Sequence, residues 1–173
     1  AASLLSHTIG TPPIQHFAQE EVKAEVLPQI LSGEKISALA ITEPSGGSDV
    51  AALKTKAVRD GNDYIVSGEK TFITSGIRAD YYSVAVRTDP NAKGANGISM
   101  LLIDAHSEGI TKSKLDKMGW WASDTAHLHF DSVRVPAKNL LGAENMGFFV
   151  IMNNFNMERF FLAASSYGYA LVC

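Results

Sequence analysis

The residues best suited to chemistry in this sequence lie in a polar loop that contains two glycines. Residues 42–49 read Thr-Glu-Pro-Ser-Gly-Gly-Ser-Asp and directly follow the mainly apolar residues 36–41. Glycines let the backbone approach a ligand closely, and successive N–H groups in such a turn can bind an anion such as a pyrophosphate. The hydroxyl groups of Thr42 and Ser48 can each donate and accept a hydrogen bond. An ordinary loop between two strands has the same composition, so both interpretations stay open here.

A second segment, residues 68–76, combines an aromatic side chain with a hydroxyl group. It reads Gly-Glu-Lys-Thr-Phe-Ile-Thr-Ser-Gly. In a strand, Phe72 and Thr74 point to the same side because side chains alternate. The pair would offer one flat ligand a stacking face and a hydrogen bond. The alternative is that Phe72 belongs to the core and Thr74 only finishes a strand.

The third segment, residues 117–142, reads KMGWWASDTAHLHFDSVRVPAKNLLG. Trp120 and Trp121 are expected to pack rather than to stack on nucleic-acid bases, since no basic groove accompanies them. His127, His129 and Asp131 alternate along one strand and would face the same way, and two histidines with a carboxylate can bind iron or zinc. The alternative is a polar outer face on a half-buried strand.

Helical and β patterns divide the chain into three parts that position these segments. Apolar residues recur at helical spacing over residues 19–31, where Pro28 is expected to begin a second short helix and Gly33 to end the segment. From Asn145 the helical spacing returns. Its predicted apolar stripe comprises Phe148, Ile151, Met152, Phe155, Ala163, Ala164, Tyr167 and Leu171.

Between the helical parts, short β-branched and aromatic runs alternate with turn residues. Strands are predicted at residues 36–41, 81–86, 97–104 and 126–135, and a hairpin over residues 55–66 that turns at Asp60-Gly61-Asn62. Turns at such regular spacing are typical of a β-sandwich or barrel.

Composition narrows the class of protein. The 173 residues carry a net charge of −3, so a general nucleic-acid or anionic-membrane surface is not expected. No apolar run approaches the roughly 20 residues of a membrane span. The single cysteine, Cys173, excludes an internal disulfide framework. With no secretory signal at the start, a cytoplasmic or mitochondrial-matrix protein is predicted, and uncapped helical patterns at both ends suggest a fragment.

In order and spacing, the three segments resemble the signatures of acyl-CoA dehydrogenases. The family's pattern reads T-E-P-x-x-G-S-D, then G-x-K-x-[WF]-I-T-x-[GA], then G-x-x-x-S-D-T, then F-x-x-V-x-V-P-x-x-N-x-L-G, and each step has a counterpart here. The resemblance implies an α+β fragment. Residues 1–35 would end an all-α N-terminal domain, residues 36–143 would form an antiparallel β-barrel or sandwich, and residues 144–173 would begin a C-terminal helical bundle.

The resemblance also implies FAD as cofactor. Thr42 would hydrogen-bond the pyrimidine side of the flavin, Phe72 would stack on the face opposite the substrate, and Thr74 would place its hydroxyl near flavin N5. The implied cofactor-binding residues are Leu39, Ala40, Ile41, Thr42, Gly47, Ser48, Phe72, Ile73 and Thr74. The family often has tryptophan at the position of Phe72, so the apolar stack is kept and the indole N–H is lost.

The implied reaction is α,β-dehydrogenation of an acyl-CoA thioester. A glutamate removes the α-proton while a hydride passes from the β-carbon to flavin N5. In most members that glutamate lies far downstream, here beyond Cys173; isovaleryl-CoA and long-chain dehydrogenases place it on the helix after the β-domain, where Glu158 falls. A surface glutamate beside an arginine is the alternative for Glu158. Ser48, Asn156 and Arg159 are the implied substrate contacts, although aspartate is common at the position of Asn156.

The resemblance implies an acyl-CoA substrate, an electron-transfer flavoprotein as partner and a homo-oligomer as the full-length protein. The isolated chain is expected to be inactive and to bind FAD weakly, since the family borrows FAD contacts from the C-terminal bundle and a neighbouring subunit. Two alternatives remain. One is a metal-dependent β-barrel enzyme using His127, His129 and Asp131, which the fit of this strand to the family pattern makes less favoured. The other is a non-catalytic module that binds acyl-CoA or flavin.

Overall fold

The chain folds around one curled sheet, and the computed structural model describes residues 9–173. Within that range the helices are α1 (Pro12–Phe17), α2 (Glu20–Leu31) and α3 (Gly147–Val172). The strands are β1 (Ser37–Ala40), β2 (Lys56–Asp60), β3 (Asp63–Thr74), β4 (Tyr81–Arg87), β5 (Ile98–Asp104), β6 (Ile110–Lys114) and β7 (Thr125–Pro136). The order helix, β, helix agrees with the sequence pattern.

The sheet is mixed rather than wholly antiparallel. Its strands follow the order β1-β4-β2-β3-β7-β6, and β5 pairs with β4. The expected antiparallel arrangement is wrong for β1, which runs parallel to β4 from Ser37 opposite Tyr81 to Ala40 opposite Val84. The β2–β3 hairpin lies between β1 and β4 in sequence. After this hairpin the chain returns to the sheet as β4, which runs in the same direction as β1. The edge strand β6 was not predicted, because its residues are Lys-rich and largely exposed.

Two apolar cores lie on the two faces of the sheet. The first, inside the curl, includes Tyr64, Tyr82, Leu128 and Phe130, and the second lies between the other face and the helices. Strand β5 separates them: Leu101 and Ile103 enter the first core, whereas Ile98, Met100 and Leu102 enter the second. Its run of buried apolar residues therefore follows from burial on both faces.

Two turn predictions are confirmed, and one helix prediction is wrong. Asp60 pairs with Asp63 across a two-residue turn in which Gly61 has φ +60°, and Gly33, with φ +80°, follows the end of α2. Helix α2 continues through Pro28 instead of restarting there. Pro28 lies in the last turn, and its carbonyl accepts the N–H of Ser32 at 3.0 Å. Because proline has no N–H, one helical hydrogen bond is missing at this position.

Helix α3 is covered only along its first part. Phe148, Met152 and Phe155 pack against the second core as predicted, and Gly147 lies so close to Ser99 that a Cβ there would meet its backbone at 2.4 Å. The later members of the predicted stripe are largely exposed. These are Ala163, Ala164, Tyr167 and Leu171. None of the helices within residues 9–173 combines the length and apolar character needed to cross a membrane.

Candidate active site

The polar loop at residues 42–49 is fastened to strand β3. The N–H of Thr71 donates to the carbonyl of Thr42 at 2.8 Å, and Glu43 and Gly46 exchange two backbone hydrogen bonds that close a tight turn. A Cβ at Gly47 would lie 3.1 Å from Cγ2 of Thr42, so glycine keeps the loop close to this threonine. The first and second motifs therefore form one structural unit.

A buried ion pair completes this connection. Lys70 Nζ lies 2.9 Å from Glu43 Oε1 and donates to the carbonyl of Ile41 at 3.0 Å. The Glu43 carboxylate also accepts the backbone N–H groups of Lys54 and Thr55, at 2.7 and 2.8 Å. Lys70 is 0% exposed and Glu43 is 5% exposed, so both charges are held out of water.

Burial disfavours both charges of this pair and therefore shifts the two pKa values in opposite directions. Burial lowers the pKa of Lys70 to about 8, although the neighbouring Glu43 carboxylate favours the ammonium form. Burial alone would raise the pKa of Glu43, but attraction to Lys70 and hydrogen bonds from Lys70 and Thr55 leave it lowered overall. Sequence reasoning missed both residues as partners. The signal was present for Lys70, because alternation from Tyr64 and Val66 places it on the inward side of β3.

A bulge in β3 turns Phe72 outward. The register against β7 shifts between Lys70 and Ile73, and Phe72 has φ +59°, in the left-handed region that non-glycine residues seldom adopt. Phe72 is consequently 69% exposed, and the alternative that it belongs to the core is wrong. It lines a cavity together with Thr74, as predicted, although the bulge and not simple alternation sets its direction, since Ile73 lines the same cavity. Bulges commonly re-aim a side chain beside a functional site.

The first cavity, here called the strand cavity, has a volume of about 120 Å³. Six of the nine residues predicted to bind a cofactor line it: Leu39, Ile41, Thr42, Phe72, Ile73 and Thr74. Ala40 does not, because it is 0% exposed and its side chain lies in the first core, on the opposite side of β1. The remaining two, Gly47 and Ser48, line a neighbouring cavity.

This neighbouring cavity, the helix cavity, has a volume of about 560 Å³ and lies between residues 47–51 and helix α3. Glu158 and Arg159 line it, and Phe155 lines both cavities. Asn156 is exposed and lines neither. The structure therefore separates Asn156 from the other predicted substrate contacts, because two residues along a helix correspond to a rotation of about 200° from Glu158.

The Glu158 carboxyl group is held in a partly apolar environment. Asn154 Nδ2 donates to Glu158 Oε1 at 2.5 Å. Burial raises the pKa of Glu158 to about 7, while the hydrogen bond from Asn154 and attraction to Arg159 act in the opposite direction. The Arg159 guanidinium lies 5.8 Å from the centre of the Phe155 ring. A carboxylate with this pKa is basic enough to take up a proton near neutral pH.

The third motif fixes the turn that follows Thr74. The Asp124 carboxylate accepts the N–H of Ile77 at 2.7 Å and Nε of Arg78 at 2.6 Å, and the Asp124 carbonyl accepts the N–H of Ser75 at 3.0 Å. These contacts anchor the turn to the start of β7. The expected packing of Trp120 and Trp121 is wrong within residues 9–173, where they are 64% and 83% exposed.

The histidines of β7 do not form a metal centre in the described part of the chain. Leu128 and Phe130 point into the first core, as expected for a half-buried strand. His127 Nε2 and His129 Nδ1 lie 3.5 and 3.6 Å from the Glu69 carboxylate. Across residues 9–173, no three His, Cys, Asp or Glu side chains are grouped so that they could hold a metal ion. The metal-dependent alternative therefore has no geometric support here.

The described residues therefore form a curled sheet with two neighbouring cavities, one lined by the outward-turned Phe72 and by threonines, and the other by Glu158 of α3. Residues 38–133 match the acyl-CoA dehydrogenase middle domain, which is over half of the chain. The chain belongs to the acyl-CoA dehydrogenase family.

Named relatives support this assignment along nearly the whole chain. It is 42% identical to cyclohexane-1-carbonyl-CoA dehydrogenase of Geobacter metallireducens, covering 96% of this chain and 44% of the relative. It is 41% identical to the mitochondrial long-chain specific acyl-CoA dehydrogenase of Sus scrofa, with 92% and 37% covered. The crystal structure of a probable acyl-CoA dehydrogenase from Mycobacterium abscessus superposes with a TM-score of 0.87 at 50% identity, covering 91% and 42%. The chain spans less than half the length of these relatives.

Proposed function

We propose that the chain forms one wall of an FAD-dependent acyl-CoA dehydrogenase active site, in which Glu158 removes the α-proton of the substrate. The observation that carries the proposal is the meeting of the two cavities at Phe155. Through this shared residue, the hydroxyl groups of Thr42 and Thr74 adjoin the space that Glu158 faces. A flat cofactor and a substrate would lie side by side along such a wall.

The residues of the strand cavity fit a flavin ring. Its lining combines apolar surface from Leu39, Ile41 and Phe72 with the hydroxyl groups of Thr42 and Thr74. A flavin has the same division, with apolar faces and a polar edge. When bound, FAD supplies the hydride acceptor for the reaction. The chain supplies a stacking surface through Phe72 and hydrogen-bonding groups through the two threonines.

The residues of the helix cavity fit a thioester whose α-carbon loses a proton. Gly47 and Ser48 face Glu158 across this space, so they position the thioester while the carboxylate accepts the proton. The raised pKa of Glu158 makes the carboxylate a stronger base than an exposed glutamate. Apolar side chains, such as Phe155 and Met152, give the cavity a partly apolar lining beside the carboxylate.

The proposal extends to the whole protein. Residues 36–143 act as the flavin and acyl-CoA wall, between the end of an N-terminal helical domain at residues 1–35 and the start of a C-terminal bundle at residues 144–173. The complete enzyme passes electrons to an electron-transfer flavoprotein, forms a homo-oligomer and lies in the cytoplasm or the mitochondrial matrix. A bacterial relative and a mitochondrial relative are consistent with these two locations. The chain alone binds FAD weakly, since this single wall leaves most of a bound flavin uncovered.

Titration of the chain with FAD, followed by flavin fluorescence, tests the wall. We expect weak, saturable binding, and Thr74→Val should reduce the affinity by about two- to tenfold, the value of one hydrogen bond. Thr111→Val is the matched control, because Thr111 is exposed on β6 outside both cavities. Equal affinities for Thr74→Val and the unsubstituted chain would contradict the assignment. Stoichiometric flavin after purification without added FAD would contradict the weak-binding proposal.

Glu158→Gln tests the base in the flavin-loaded whole protein. Anaerobic addition of an acyl-CoA should bleach the flavin, and the substitution should slow this step by about 10²- to 10⁴-fold. Glu108→Gln is the control, because Glu108 lies in a loop outside both cavities. An unchanged rate would place the base beyond Cys173. Binding of flavin and acyl-CoA without any bleaching in the unsubstituted protein would favour the non-catalytic module.

A further inference from the structure

Asn154 is a buried polar residue one helical turn before Glu158. It lies in α3 and is only 3% exposed, whereas Glu158 is half-buried and Asn153 is exposed. Asn154 Nδ2 donates to Glu158 Oε1 at 2.5 Å and to the carbonyl of Ile9 at 3.2 Å. A buried amide with this geometry is uncommon unless its hydrogen bonds are used, because an unmade hydrogen bond in the interior is costly.

The Ile9 carbonyl fixes which way the amide points. A carbonyl oxygen can only accept, so the NH₂ group of Asn154 must face it, and the second N–H then reaches Glu158. The amide oxygen, Asn154 Oδ1, has no hydrogen-bond partner within the described residues. A reversed amide would place this oxygen against the Ile9 carbonyl and would lose both hydrogen bonds. The main chain at Ile9 therefore sets the donor that Glu158 receives.

We infer that Asn154 is a positioning residue that holds the Glu158 carboxylate in the helix cavity and restrains its affinity for a proton. The inference rests on the proposed function, in which Glu158 is the base. Oε1 is engaged by Asn154, and Oε2 has no hydrogen-bond partner among residues 9–173, so Oε2 is the oxygen available to take a proton. A donated N–H stabilises the ionised carboxylate more than the neutral acid.

Among residues 9–173, few other charges act on the Glu158 carboxylate. Arg159 is next to it on α3, and Asp49 faces the same cavity from the polar loop. Burial among apolar side chains favours the neutral acid, while Asn154 and Arg159 favour the carboxylate. Asn154 is uncharged and makes the one direct hydrogen bond that the Glu158 carboxylate receives within residues 9–173, so removal of Asn154 should change both the proton affinity and the orientation of Glu158.

Asn154 also connects the two cavities. Ile9 lines the strand cavity, and Glu158 lines the helix cavity. One amide therefore bridges the main chain beside the proposed flavin wall and the proposed base. A change in either lining would alter the position of the other through two hydrogen bonds.

The pKa of Glu158, followed in the chain by carboxyl-carbon NMR and identified by loss of its signal in Glu158→Gln, tests the inference without flavin or turnover. Asn154→Leu should raise this pKa by about one unit, a tenfold change in proton affinity. Asn153→Leu, on the exposed side of the same helix, should leave it unchanged. A pKa that does not move in Asn154→Leu, with helix content retained, would overturn the inference.

Asn154→Ala provides the second variant if Asn154→Leu unfolds. It removes the donor without adding a titratable group, so the pKa of Glu158 should again rise. An unchanged or lowered pKa in Asn154→Ala would equally overturn the inference. In the flavin-loaded protein, the acidic limb of the pH profile for flavin reduction should move upward with the measured pKa. A Glu158→Gln variant that stays active would contradict the proposed base, whatever the NMR result.

Discussion

Removal of one member of the buried Glu43–Lys70 pair should strongly destabilise the chain. The two side chains are 5% and 0% exposed and join the polar loop to strand β3. Loss of one partner of a buried pair typically costs 3–5 kcal/mol, because the other charge is left uncompensated in the interior. We therefore compare Lys70→Met with Glu43→Gln.

The structure predicts an unequal cost for the two substitutions. In Lys70→Met, the Glu43 carboxylate keeps the backbone N–H groups of Lys54 and Thr55, so the loss should be about 3 kcal/mol. In Glu43→Gln, Lys70 keeps the Ile41 carbonyl and an uncharged amide oxygen but has no counter-charge, and it is expected to lose its proton. Deprotonating a lysine with an unfolded pKa of 10.5 at pH 7 costs about 5 kcal/mol, which sets the upper limit.

Urea unfolding of the chain at several pH values measures both costs. With Lys70 neutral in folded Glu43→Gln, the unfolded state binds more protons, so stability of this variant should rise from pH 7 to about 10.5. The double variant should cost about 2–3 kcal/mol less than the sum of the single ones, since neither charge is then left alone. Single losses below about 1 kcal/mol, or strictly additive losses, would refute the buried-pair reasoning.

Three further predictions concern the elements around the cavities. Gly68→Ala should destabilise the chain by about 2–4 kcal/mol in urea, because φ is +148° and a Cβ would lie 2.7 Å from Thr55 Cα; Gly46→Ala, with open space around it, is the control. Asp124→Asn should speed hydrogen exchange at the Ile77 N–H roughly tenfold. Burial would raise the pKa of Asp124, but hydrogen bonds from Arg78 and the Ile77 N–H outweigh it and leave the pKa lowered. The stability that ionised Asp124 contributes to the unsubstituted chain should therefore be lost only as pH falls below about 3.8. Unchanged exchange at the Ile77 N–H in Asp124→Asn would contradict the anchoring role. Phe72→Ala should leave stability within about 0.5 kcal/mol, since the ring is exposed, but weaken FAD binding at least tenfold, and intact FAD affinity would argue against stacking.

Much of the β-region could be predicted because local signals determine it. Alternation and turn residues located β4, β5 and β7 to within a residue or two, and the Asp-Gly pair located the β2–β3 hairpin. The parallel pairing of β1 with β4 could not be read from the sequence, since it joins residues more than 40 positions apart. Strand β6 was missed because an edge strand with one paired side needs few apolar residues.

The candidate site was assigned by family resemblance more fully than by spacing, and the two assigned residues that line neither cavity, Ala40 and Asn156, are turned away for geometric reasons. A continuous run of cofactor residues was assigned from Leu39 to Thr42, yet alternation turns Ala40 away from the cavity that Leu39 and Ile41 line. Asn156 was assigned beside Glu158, although a helix turns it to another side. The bulge that exposes Phe72 depends on the register against β7, which no local pattern reveals.

The groups proposed to bind or react share one mode of support. The Thr42 carbonyl is held by Thr71, the turn after Thr74 by Asp124, and Glu158 by Asn154. Each support comes from a different element of this chain, so the wall is formed before any ligand arrives, and little ordering is required on binding. The wall holds its own side chains in place but does not enclose a ligand, because α3 beyond residue 156 exposes large apolar side chains and Phe72 is 69% exposed within residues 9–173. Added covering surface should therefore raise FAD affinity without altering the contacts of Thr42 and Thr74.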